Sequence, residues 1–106
     1  MNKVINIKEK FKLFNQYWAP KIVGEIDNYY VKIFKAKDEF TWHKHRNDDE
    51  FFFVIKGQLN IKFLYSEITI KEGEFFIVPK GTQHCPYALE ESHIMLLGKK
   101  RSSKYR

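Results

Sequence analysis

The chain has 106 residues, which suits one domain and leaves little room for a second. It is 43% hydrophobic and 30% charged, so it is expected to bury a core and not to stay disordered. The formal charge of +6 raises the question of a polyanion partner. Five basic residues and no acidic one fall within 99–106, however, leaving 14 basic against 13 acidic groups over residues 1–98. The excess charge belongs to a basic tail, read as solvated and flexible, and nucleic acid is not expected as a partner.

Asn6 followed by Glu9 has the form of a capping box with Asn in place of Ser or Thr. Ile7, Phe11 and Phe14 then mark one apolar helix face, so a short helix is expected over residues 6–14, stopped before Pro20. The period changes to two from Tyr29, where Tyr29, Val31 and Ile33 alternate with Tyr30, Lys32 and Phe34. Further extended stretches are expected at Phe40–His45, Glu50–Lys56, Gln58–Tyr65, around Ile68 and Ile70, at Glu74–Val78 and at His93–Leu97. Gly57, Glu72-Gly73 and Pro79-Lys80-Gly81 supply the turns. Many short strands with no later helix predict an all-β barrel or sandwich over residues 29–97. Phe51, Phe52 and Phe53 are consecutive, so both faces of their strand need cover. One face fills the barrel, and the other is expected to meet a second sheet layer, a helix or another subunit.

Cys85 is the sole cysteine, which excludes an internal disulfide framework and a thiolate zinc cluster. The first twelve residues contain no apolar run of signal-peptide type, and the longest such run, Phe51–Ile55, is far too short to span a membrane. The expected setting is cytoplasmic.

Four histidines are present: His43, His45, His84 and His93. On an extended chain, positions 43 and 45 share a face. Glu50 follows across the polar link Arg46–Asp49, and His84 follows the Pro79–Gly81 turn. Three imidazoles and one carboxylate form a mixed nitrogen and oxygen donor set. Such a set suits one divalent transition metal: iron, manganese, nickel, cobalt, zinc or copper. Four protein donors leave room for open positions, which ligand capture or catalysis requires.

These residues resemble the cupin superfamily. Its first motif, G-x5-H-x-H-x3,4-E-x6-G, is matched by His43, His45, Glu50 and Gly57. Its second, G-x5-P-x-G-x2-H-x3-N, is matched by Gly73, Pro79, Gly81 and His84. The pattern departs at its first glycine, here Lys37, and at its closing asparagine, here Ala88, neither of which is a ligand position. The resemblance implies a double-stranded β-helix, a jelly-roll barrel, with a short N-terminal helix and a metal on His43, His45, Glu50 and His84. Residues 1–98 look like a small single-domain cupin of the kind labelled as related to mannose-6-phosphate isomerase. Dimerisation is common in such folds.

Strand parity assigns the pocket wall to Phe52 and Val54, which share the face of Glu50, and to Pro86 and Ala88, which share that of His84. Tyr30, Lys32 and Phe34 share a face whose direction parity leaves open. His93 is read as a packing or surface histidine, Cys85 as a small core residue pointing away from the metal, and Trp42 as outward-facing. Asp48 and Asp49 belong to a solvated turn. The expected function is capture of a small organic molecule at the metal, with its isomerisation or oxidation. The alternative is a non-catalytic binding or sensing module that uses the same metal site. The expected partners are that molecule and a second copy of the chain, with no membrane.

Overall fold

The computed structural model describes residues 3–100. Helix α1 (Ile7–Phe11) precedes β1 (Lys21–Ile26), β2 (Tyr29–Glu39), β3 (Glu50–Lys56), β4 (Gln58–Lys62), β5 (Glu67–Lys71), β6 (Phe75–Val78) and β7 (Cys85–Lys99). The strands pair antiparallel in the order β1-β2-β7-β3-β6, while β4 pairs both β5 and β7. This is the all-β fold with a short N-terminal helix that the sequence patterns predict, and the jelly-roll barrel that the resemblance implies. No helix among the described residues is long and apolar enough to cross a membrane.

Asn6 caps α1 as its position implies: its backbone is extended and its side-chain oxygen accepts the Glu9 N–H at 3.1 Å. The helix stops at Phe11, short of the expected Phe14. The following chain is instead held by β2, because Lys35 Nζ donates to Phe14 O at 2.8 Å and Trp18 N–H donates to Lys35 O at 2.8 Å. That capture turns residues 12–20 from the outer face of the sheet toward the barrel mouth.

Strand β1 escapes the sequence reading. Its Lys-Ile-Val-Gly-Glu-Ile pattern carries a glycine at an irregularity between Ile22 and Gly24. A two-residue turn at Asp27-Asn28 joins it to β2, with Asp27 at φ 49°, a conformation that Asp tolerates. Strand β7 runs fifteen residues, not the five of His93–Leu97. It begins against β4 and ends between β2 and β3, so its polar middle, Glu90–Ser92, interrupts the apolar signal without ending the strand. Strand β4 stops at Lys62 because a turn closed by Phe63 N–H to Ser66 O at 2.7 Å follows, leaving Leu64 and Tyr65 exposed.

The core fills the inside of the barrel with Phe34, Phe52, Val54, Leu59, Ile61, Ile70, Val78 and Ile94. Strand alternation sends Phe51 and Phe53 to the opposite, outer face, where the Phe51 ring packs 5.2 Å from that of Phe75. Helix α1 covers part of this face, with Phe11 stacked on His93 at 4.2 Å. Lys99 ends β7 opposite Tyr29, and Lys100 N–H donates to Asn28 O at 2.9 Å. Regular structure therefore reaches past residue 98, where the tail was expected to start. Residues 101–106 of the expected flexible tail lie outside the described residues.

Candidate metal centre

The segment expected as a strand at Phe40–His45 makes only one residue of sheet. The backbones of His43 and His84 exchange two hydrogen bonds of 2.9 Å each, in an isolated antiparallel bridge. That bridge joins the two motifs directly. A second tie follows, as Gly81 N–H donates to His45 O at 2.7 Å, and a third, as Lys80 N–H donates to Asp49 Oδ1 at 2.9 Å. Asp49 thus does more than solvate a turn: it fixes the loop that carries His45 to the loop that carries His84.

Ring orientation is fixed from behind. His43 Nδ1 lies 2.9 Å from Thr41 O, and His84 Nδ1 lies 2.9 Å from Thr82 O. A carbonyl oxygen can only accept, so both Nδ1 atoms carry the proton. Both Nε2 atoms are then turned inward. The Nε2 atoms of His84, His45 and His43 lie 2.9, 3.3 and 3.9 Å from one oxygen, Glu50 Oε1. The four donor atoms lie within 4.8 Å of one another. Two donors about 2.1 Å from a single ion are at most about 4.2 Å apart, so the set is near the span of one coordination sphere.

Three imidazole nitrogens facing one carboxylate oxygen require positive charge between them. Burial alone would raise the Glu50 carboxyl, but hydrogen bonds from His43, His45 and His84 outweigh it and hold the group well below the usual carboxylate range. The hydrogen bond to Glu50 raises His43 against the opposing effect of its burial. A bound divalent cation would supply the same charge, and the outward Nδ1–H bonds to carbonyls are the support that metal-ligating histidines ordinarily have. The residues fit the metal on their own chemistry.

The donors differ in access. His84 is 1% exposed and lies behind the other donors, while the His45 side chain is 46% exposed at the rim. Above them lies a chamber of about 390 Å³. Its walls are aromatic: Trp18 packs on Phe40 at 5.1 Å and on Phe34 at 5.6 Å, and Phe34 meets Phe52 edge-on at 6.4 Å. Pro20, Pro86 and Leu96 complete the apolar lining, and Thr41 supplies the one hydroxyl.

Of the residues assigned to the wall by parity, Phe52 and Pro86 line the chamber. Val54 and Ala88 do not; both are fully buried in the core cluster with Leu59 and Ile61. They share the inner face but lie two residues farther along their strands, where the barrel is packed solid. Trp18, Pro20 and Phe40 were missed. Their only local signal is the aromatic and proline content around Tyr17-Trp18-Ala19-Pro20, and it does not show that this segment folds over the mouth. Trp18 sits at φ 58°, held there by Nε1–H donation to Lys37 O at 3.0 Å. His93 is outside the donor group and donates from Nε2 to Glu91 at 2.8 Å. Cys85 is fully buried opposite Lys62 and is likewise outside it. Trp42 is partly exposed, as parity predicts.

Comparison with known proteins bears on the same residues. The family described as Cupin domain matches residues 30–97. The crystal structure of a cupin-2 domain containing protein from Shewanella frigidimarina superposes with a TM-score of 0.90 at 43% identity, covering 92% of this chain and 95% of that one. The uncharacterized protein YdbB of Bacillus subtilis is 32% identical over 79 residues, covering 74% of this chain and 64% of its own length. A 3-hydroxyanthranilate 3,4-dioxygenase of Bacillus thuringiensis is 32% identical over 59 residues, covering 51% of this chain and 33% of its own length. The chain thus spans about a third to two thirds of these curated relatives. The family match runs across all four donors and all three turn glycines, Gly57, Gly73 and Gly81, and the chain belongs to the cupin superfamily.

Proposed function

We propose that the protein holds one divalent transition metal on His43, His45, Glu50 and His84 and uses it to bind and oxidise a small, flat, mostly apolar organic molecule. The carrying observation is the set of three Nε2 atoms turned toward Glu50 Oε1 at the floor of an aromatic chamber. Such a metal supplies Lewis-acid polarisation of a bound oxygen and, as iron(II), redox chemistry with dioxygen. The chain's own residues do the rest. Thr41 O and Thr82 O keep the Nδ1 protons away from the donor side. Trp18, Phe40 and Phe52 exclude water and hold a ring by its faces.

Isomerisation of a sugar phosphate fits less well. A sugar carries hydroxyls on most carbons, and each needs a polar partner when buried. The chamber wall offers the Thr41 hydroxyl and otherwise only the donors themselves. Some of the relatives bear dioxygenase names, which agrees with the oxidative reading. One observation favours a second reading, a non-catalytic binding module: apart from His43, His45 and Glu50, no titratable side chain lines the chamber. A cytoplasmic setting accords with Cys85, which is buried and unpaired and so contributes no structural disulfide.

The test is metal analysis of protein purified without a chelating column, followed by oxygen uptake of the iron-loaded protein with a panel of phenols, catechols and aminophenols. About one equivalent of metal and turnover of a panel member are expected. Less than about a tenth of an equivalent would sink the metal reading. Tight binding without oxygen uptake would establish the binding module instead.

Self-association through the outer sheet face is part of the same proposal. Phe51, Phe75, Ile77 and Leu97 form an apolar patch there, with Phe75 60% and Ile77 48% exposed. Phe75→Glu is expected to convert a dimer into a folded monomer in sedimentation equilibrium. A wild-type protein that is already monomeric would remove the idea.

A further inference from the structure

Lys32 is a cation on the metal-facing side of the barrel with no part in the site described so far. Its register settles the direction that parity leaves open. Phe52 pairs with Leu96 and Leu96 pairs with Lys32, so the three share one face. Phe52 and Leu96 line the chamber. Lys32 is half-buried, and no carboxylate among the described residues forms an ion pair with it; its Nζ lies 5.9 Å from the centroid of the Tyr30 ring.

The side chain has a place made for it. A β-carbon on Gly98 would lie 3.1 Å from both Lys32 Cε and Nζ, so the bare glycine lets the ammonium fold across β7. There it lines a side pocket of about 180 Å³ together with Lys99. This pocket shares His45, Glu50 and Leu96 with the aromatic chamber, so the two spaces meet at the metal donors. Asp48 and Asp49 also line it. Asp49 is occupied by the Lys80 N–H, and Asp48 already has an interaction partner. Lys32 and Lys99 bring ammonium groups to this junction, and among the described residues neither is paired with a carboxylate; of the two, only Lys32 shares the face of Phe52 and Leu96.

We infer that Lys32 is a specificity residue that recognises an anionic substituent, a carboxylate, on the small aromatic molecule bound at the metal. This rests on the proposed metal and chamber and adds to them the class of ligand: an aromatic acid. The ring occupies the chamber, its polar donor faces the histidines, and its carboxylate turns into the side pocket toward Nζ.

The experiment is calorimetric titration of the full chain, loaded with manganese(II), with 3-hydroxybenzoate and with its neutral isostere 3-hydroxybenzamide. The acid is expected to bind about tenfold more tightly, the scale of one charge-assisted hydrogen bond, and to lose that margin as salt rises. Lys32→Met is expected to bring the ratio close to one without weakening the amide, and Lys32→Arg to keep most of it. Equal affinities in the wild type would overturn the inference while leaving the chamber intact. An acid preference that survives Lys32→Met would also overturn it, since the carboxylate would then be on the metal or on Lys99. Failure of both probes to bind the loaded protein would overturn the chamber reading, and this inference with it.

Discussion

His45→Ala is expected to weaken metal binding by at least about a hundredfold, because even the outer partners of metal ligands are worth 10- to 100-fold. The fold should survive, since the His45 side chain is nearly half exposed and lies at the rim. The readout is thermal stability with and without added metal. Metal at a hundred times its dissociation constant stabilises the native state by about 2.7 kcal/mol. In a domain of this size each kcal/mol moves Tm by about 4–8 °C. The wild type should therefore gain more than about 10 °C on adding manganese or zinc, and His45→Ala almost nothing. Glu50→Gln is expected to behave in the same way while preserving shape. It removes the charge that draws three imidazole nitrogens to one oxygen. His84→Ala is a poorer probe, because His84 is buried and its loss adds a packing defect to the loss of a donor. A His45→Ala protein with the full metal-induced shift would show that the ion, if bound, sits elsewhere.

The four donors were legible because their spacing reflects a backbone device. The i, i+2 histidines and the Pro-x-Gly-x-x-His turn are local patterns, and the fold closes them with one bridge, His43 to His84. Nothing local announces the chamber's outer wall. Trp18 reaches it through a left-handed backbone and a hydrogen bond to Lys37, nineteen positions away. Parity found the right face for Phe52 and Val54 but not the depth. Which of two inner residues meets a cavity depends on how far the core packs upward, and Leu59 and Ile61 come from another strand. The same limit explains β1 and the length of β7. Their residues are too mixed to read as strands alone, and they are held by partners such as Tyr29 opposite Lys99.

Gly57→Ala is expected to be the most costly of the glycine substitutions, at about 3 kcal/mol. Three turn glycines, Gly57, Gly73 and Gly81, have φ between 79° and 86°. An alanine in that conformation costs about 1–2 kcal/mol wherever it sits. At Gly73 and Gly81 nothing lies within 4 Å of an added β-carbon, so only that cost applies. At Gly57 the new carbon would fall 2.4 Å from Ser92 Oγ, 2.9 Å from Ser92 Cβ and 3.1 Å from Ser92 Cα. Ser92 cannot swing aside freely. It is buried, its Oγ accepts the Gln58 N–H at 3.1 Å, and its own proton is directed to the carbonyls of Gln58 and Glu90, each 3.0 Å away. Overpacking of this kind adds about 1–3 kcal/mol. Chemical denaturation should rank Gly57→Ala well below Gly73→Ala and Gly81→Ala. In a Ser92→Gly background the penalty should shrink toward the backbone cost alone, which a double-mutant cycle reads directly. The turn lies at the end of β3 opposite Glu50, so folded Gly57→Ala protein should keep its full metal content. Equal losses at all three glycines would mean that Ser92 yields, and that the first motif keeps its final glycine for the turn's backbone rather than for the close approach of β7.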